Sequence, residues 1–185
     1  MAEVNIVTKY TNGNSKVRIG IIFHNYPYFP KLIEGYKEGL IHEITTQTMY
    51  NKRRENGDLG IRIQSSGHHS DMTANAAIEN VMIGNLIDEG ILSEDILEYV
   101  DDRQETTQKI IIYLMMKGEY NVIQAQMESV YGLDKEILIP YMTKQKNVYE
   151  IADEVGIEPD SVRKRIYRIK KNLTAQVEPF FGRIQ

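Results

Sequence analysis

The run NVYEIADEVGIEPDSVRKRIYRIKKNL at residues 147–173 decides how the rest of the chain is read. Two short amphipathic segments meet at a glycine, and each small or apolar residue has a place in a helix-turn-helix. Ala152 falls where two crossing helices come closest, so a larger side chain there would push them apart. Gly156 ends the first helix, where a residue free to take positive φ lets the chain turn. Ile157 fills the corner. Pro159 suits the first turn of the second helix, since its missing N–H would have no partner there. From that point Val162, Ile166, Ile169 and Leu173 follow i, i+4, i+7, i+11 and predict one narrow buried stripe. At about 100° per residue, Asp160, Lys164, Tyr167, Arg168 and Lys171 lie opposite the stripe, with Ser161, Arg163, Arg165 and Lys170 on its flanks.

Charge is distributed to match. The chain carries 22 Lys and Arg against 26 Asp and Glu, a net charge of −4. Residues 160–173 alone hold six basic side chains and one acidic, a local +5, so everything else sums to −9. Proteins that coat nucleic acid indiscriminately are basic throughout; a short basic helix on an acidic body instead suits one oriented contact with phosphates. The expected partner is double-stranded DNA, with the second helix in the major groove. Ser161, Arg163, Lys164 and Arg168 are expected at or near base edges. Arg165, Lys170 and Lys171 are expected on phosphates, and Tyr167 shares their side of the helix. A basic helix that is merely well solvated is the plainer reading. The alanine, the glycine and the apolar stripe, all in phase, weigh against it.

The segments YEIADEVGI at 149–157 and SVRKRI at 161–166 resemble the C-terminal helix-turn-helix of bacterial sigma factors, and LDKEIL at 133–138 resembles the helix before it. Sigma factors usually place a serine where Glu158 stands, a departure at the cap of the second helix. Further forward come NYPYF at 25–29, an amphipathic helix, a loop and SDMTANAA at 70–77. In that order, followed by the sigma-like module, they are similar to the ArpU and RinA type regulators of phages and prophages of Gram-positive bacteria. The resemblance implies a transcription regulator that activates late phage genes together with bacterial RNA polymerase. Nothing resembles the aromatic-rich sigma segment that opens the promoter, so the chain is not expected to melt DNA by itself.

The remaining sequence implies an all-α protein. Four regions are expected: an N-terminal arm or short β-hairpin at 1–24, an amphipathic helix and linker at 25–71, a helical middle region at 72–130, and the helix-turn-helix domain at 131–185. The hairpin rests on the alternation of Val4, Ile6 and Tyr10, then the turn-like TNGNS at 11–15, then Val17, Ile19 and Ile21. Leu32, Ile33, Tyr36, Leu40, Ile41 and Ile44 recur at helical spacing up to about residue 50, a helix suited to internal packing or to pairing with a second copy. Ala74, Ala77, Ile78, Val81, Met82 and Leu86 predict another helix, capped by Asp71. A third is expected from Glu94 toward Lys117, with further helix over 119–130 and 133–144. Residues 88–105 hold eight acidic side chains and one basic, which keeps that stretch away from DNA. The aromatic-bearing tail at 177–184 is expected to pack back on the bundle.

Several functions are disfavoured by composition. With no cysteine, thiolate metal sites, disulfides and cysteine nucleophiles are excluded. His68 and His69 beside Asp71 are adjacent residues that point apart, a poor metal pair. No glycine-rich phosphate loop or nucleophile elbow occurs. No enzyme activity, cofactor or metal is therefore expected. No apolar run approaches the roughly 20 residues of a membrane span, and MAEVNIVTKY lacks the features of a secretion signal, so the expected location is the cytoplasm, with the nucleoid. Two rival readings are a small terminase-like subunit for phage DNA packaging and a polymerase-binding inhibitor whose basic helix docks on protein.

Overall fold

The computed structural model describes residues 5–55, 72–91 and 97–182. The protein is all-α, with no strand among the described residues. The helices are α1 (Ile6–Thr11), α2 (Ser15–Asn25), α3 (Phe29–Glu55), α4 (Met72–Glu89), α5 (Arg103–Glu128), α6 (Gly132–Met142), α7 (Val148–Val155) and α8 (Pro159–Val177), followed by a 3₁₀ turn at Glu178–Phe180. The chain divides into two compact units: Met1–Leu32 with Met116–Gln185, and Ile33–Met115.

In the first unit the expected hairpin is replaced by two helices. Asn5 and Asn14 each cap one, their side chains accepting the N–H groups of Val7 and Val17. A two-residue hairpin turn needs positive φ at its centre, and Gly13 does not adopt it. The side chains that matter in α2 are Ile19, Ile22 and Phe23, at helical rather than alternating spacing, and all three are buried. Val17, counted in the alternation, is 47% exposed.

A charged group lies at the centre of this unit. Arg18 is 1% exposed and Glu119 of α5 is 6% exposed. The guanidinium donates to Glu119 from Nε (3.0 and 3.1 Å) and from Nη2 (2.7 Å), and from Nη1 to the Gly13 carbonyl (3.2 Å). Nη2 also donates to the Gly182 carbonyl. The Tyr10 hydroxyl donates to Glu119, and Arg18 sits 5.8 Å from the ring centroids of both Tyr10 and Phe181. A buried ion pair is tolerable only when its remaining hydrogen-bonding capacity is also met, as it is here. Burial and the Glu119 carboxylate together push the Tyr10 hydroxyl far above the ordinary tyrosine range. The tail does pack back through Phe181, whereas Phe180 is 67% exposed. Aromatic contacts among Tyr10, Phe29, Tyr26 and Tyr120 complete this side of the core.

The second unit is built from α3, α4 and the first part of α5. Lys37 pairs with Asp88 at 2.6 Å, a Cβ at Gly84 would meet the Ile41 side chain, and Thr45 donates to Asn80 at 2.8 Å. As one residue number rises by four the other falls by four, so α3 and α4 run antiparallel. Lys109 of α5 on Glu43, and Asp101, just before α5, on Gln47 and Asn51, set α3 and α5 antiparallel in the same way. The inward face of α4 therefore carries Ile83, Gly84 and Ile87, while Ile78, Val81 and Met82 are each about 60% exposed. The helix predicted from Ala74, Ala77, Ile78, Val81, Met82 and Leu86 is present, but α4 is apolar on both faces, and its contacts with α3 choose between them.

The expected break near residue 118 is absent. A single helix, α5, runs through Gly118, because Met116, Glu119, Ile123 and Met127 continue one buried stripe across it. That helix begins at Arg103 rather than Glu94: the Asp102 carboxylate accepts the Glu105 N–H and caps it. The expected loop at 56–71, with His68, His69 and the Asp71 cap, lies outside the described residues, as does Glu94. No described helix is long and apolar enough to cross a membrane.

Candidate nucleic-acid interface

α6, α7 and α8 pack around one cluster of Ile137, Ile151, Ala152, Val162 and Ile166, with Leu133, Tyr141, Val148, Val155 and Ile157 against it. The local sequence dictates each joint. Asn147 and Glu150 form a reciprocal capping box at the start of α7, each side chain accepting the other's backbone N–H. Gly156 ends α7 at φ 68°, ψ 34°, a left-handed conformation costly for any side chain with a Cβ, and the Ile157 N–H returns to the Ala152 carbonyl. Glu158 occupies the cap position of α8 without a side-chain hydrogen bond there, and Pro159 opens the helix. The start that the missing serine leaves open is thus set by proline.

Along α8 the residues Val162, Ile166, Ile169, Leu173 and Val177 are all buried, one turn beyond the predicted stripe. Ser161, Lys164, Tyr167, Arg168 and Lys171 are exposed, Tyr167 at 71%. Arg165 and Lys170, placed on the flanks by the helical projection, are half-buried. The eight candidate side chains thus occupy one continuous side of one helix, but they are not equally free. Among the described residues, Ser161, Lys164, Tyr167 and Lys171 make no side-chain hydrogen bond or ion pair. Arg163 is held: Nη1 donates to Asp160 at 2.6 Å and Nη2 to the Tyr149 hydroxyl at 3.0 Å, with the guanidinium 5.2 Å from the Tyr149 ring centroid. The Tyr149 and Asp160 contacts raise its pKa further, so it stays charged. Arg165 is bound to Asp134 of α6, and Arg168 reaches the same carboxylate at 3.8 Å. Lys170 lies 5.2 Å from the Phe23 ring centroid, and burial pulls its pKa below the ordinary lysine range.

Sequence reasoning missed three neighbours of this helix. Tyr149 is 64% exposed and stacks under Arg163. Asp134, in the first turn of α6, restrains two arginines through spacing no local pattern displays. Phe23 lies more than a hundred residues away from the lysine it underlies. Chemically, a row of cations and hydrogen-bond donors along one side of a helix suits binding to an extended polyanion. Among the described residues no cluster of three metal-ligating side chains occurs. No protein family, curated protein or solved structure matches this chain.

Proposed function

We propose that this protein is a sequence-specific DNA-binding transcription regulator whose α7 and α8 form a sigma-like helix-turn-helix, with α8 as the helix that enters the major groove. The observation that carries the reading is the division of α8: one buried stripe, with Lys164, Tyr167, Arg168 and Lys171 exposed opposite it and Ser161 exposed on its flank. An α-helix with donors and cations on its outer face fits the major groove, where arginine and lysine pair with guanine edges and flanking cations bind phosphates. Arg163, preset by Tyr149 and Asp160, is oriented before any contact is made. The acidic remainder of the chain disfavours non-specific coating of the duplex. The sequence resemblance extends this reading to a phage or prophage activator in the bacterial cytoplasm, working with RNA polymerase on promoter DNA.

The test is replacement of Arg163, Lys164 and Arg168 by alanine in the full chain. Their side chains lie outside the core, so the melting temperature is expected to hold while affinity for specific duplex falls by a factor of about a hundred or more. Crosslinking and sequencing in the host supplies the target: sharp peaks upstream of an operon, lost in the triple variant, are the expected result. Unchanged duplex affinity in that variant removes α8 from the interface. Peaks at a packaging site support the terminase-like alternative, and salt-insensitive polymerase binding without DNA supports the inhibitor.

A further inference from the structure

Beside α8 lies a groove of about 660 Å³ whose floor is formed by Phe23, Tyr141, Val148, Ile166 and Ala175. Four cations border it, Lys16, Arg163, Lys170 and Lys171, against one carboxylate, Glu178. Lys16 is 3.9 Å from Glu178, and Arg163 is occupied by Asp160 and Tyr149. Lys170 and Lys171 have no carboxylate partner among the described residues. Lys170 is the more telling of the two, because it is half-buried over the Phe23 ring and burial disfavours its charged form. A desolvated ammonium without a counter-ion is a cost that an incoming anion would relieve.

From this geometry we infer that the groove is a binding site for a small amphipathic anion, an apolar body on the Phe23–Tyr141 floor with a carboxylate or phosphate head on Lys170 and Lys171. The volume falls within the range of about 300–1,000 Å³ usual for small-molecule sites. A DNA phosphate would satisfy the lysines but would leave the apolar floor unused, and a neutral hydrocarbon would leave the charge surplus unmet. Arg163, Tyr167, Lys170 and Lys171 belong both to the groove lining and to the proposed DNA face, so an occupant competes with duplex. Only this antagonism rests on the DNA-binding reading; the binding site does not.

The experiment titrates the full chain with decanoate below its micelle-forming concentration, with decanol and with inorganic phosphate, followed by calorimetry. Decanoate is expected to bind at least about tenfold more tightly than decanol, reflecting one charge-assisted contact, and phosphate alone is not expected to bind. Lys170→Met keeps the apolar stem, removes the charge and is expected to bring decanoate down to the level of decanol, with a melting temperature no lower than the parent's. Ala175→Trp, an exposed floor position, is expected to exclude both. Equal affinity for decanoate and decanol, or undiminished decanoate binding by Lys170→Met, overturns the inference. So does sedimentation with phosphatidylglycerol vesicles without binding of monomeric decanoate, which would assign the groove to a lipid surface. In a parallel arm, saturating decanoate is expected to weaken duplex binding. A chain that takes decanoate but no duplex loses the DNA reading and keeps the groove; one that binds duplex but no decanoate does the reverse.

Discussion

The two compact units are held together in different ways. In the first, residues from opposite ends of the chain meet on a charge that is almost wholly buried: Arg18 from α2, Glu119 from α5, and the carbonyls of Gly13 and Gly182. In the second, the helices are contiguous in sequence and their ion pairs sit near the surface, with Lys109 28% and Glu43 33% exposed. One of its buried polar residues is less complete: Asn51 spends its amide hydrogens on Tyr99 and Asp101, while its oxygen has no hydrogen-bond partner among the described residues. Where water is excluded, a polar group must be satisfied within the protein, and the penalty for losing one partner is large. Where water remains, the same residue types contribute little.

The widest gap between the units should appear on removing one partner of the buried pair. Arg18→Met leaves the Glu119 carboxylate buried without its counter-charge and is expected to lower stability by about 3–5 kcal/mol in urea denaturation. Adding Glu119→Met should recover much of that loss, since an apolar pair of similar volume avoids the desolvation penalty. A single variant no less stable than the parent would contradict the burial of this pair.

Alkaline pH probes both units together. Burial raises the hydroxyls of Tyr10 and Tyr113 well above the usual value of 10.0, and that of Tyr26 is pushed up to about 12. A group raised in the folded state retains protons that the unfolded chain has lost, so its contribution is complete below pH 10 and declines above it. Lys109, held up by Glu105 and Glu43, acts in the same direction from 10.5; Lys170, lowered by burial, opposes them. Melting temperature is therefore expected to fall between pH ~10 and pH ~12, with a shallower fall in Tyr10→Phe. A flat profile would show these hydroxyls to be solvated.

A smaller effect is expected at the turn between α7 and α8. Nothing lies within 4 Å of a Cβ added at Gly156, so Gly156→Ala meets no clash and costs only the left-handed backbone, about 1–2 kcal/mol by denaturant titration. A loss much beyond that would mean that the turn carries packing as well as geometry. The least effect is expected from Lys109→Met in the second unit, under about 1 kcal/mol, because the ion pairs with Glu43 and Glu105 are only partly shielded. Equal losses for Lys109→Met and Arg18→Met would erase the distinction between the units.

Legibility in the sequence followed the range of the interactions. The α7–α8 joint was readable because its determinants are neighbours: the glycine at the left-handed cap, the proline at the helix start, the stripe at helical spacing. The N-terminal segment was misread because a short run of alternating apolar residues fits a strand and a helix alike until something packs against it; Asn5 and Asn14 as caps were the overlooked local signal. The face of α4 was not legible because both faces are apolar, and only Thr45, Ile41 and Lys37 on another helix select one. In the candidate interface, the projection of α8 alone gave the exposure of its cations. It gave none of their restraints.

By itself, then, the sequence determined a helical chain beyond its first 24 residues, the position and sharpness of the turn at Gly156, and the concentration of positive charge on one side of the last long helix. These depend on backbone propensity, on capping within three or four residues and on a 3.6-residue period, all of which act locally. Only the tertiary structure decided that Arg18 is a core residue, that Asp134 and Tyr149 hold three of the arginines around α8, and that Phe23 places an apolar floor beside Lys170. Burial and long-range pairing depend on which distant segments meet, and a charged side chain reads the same in sequence whether water or another residue is its partner.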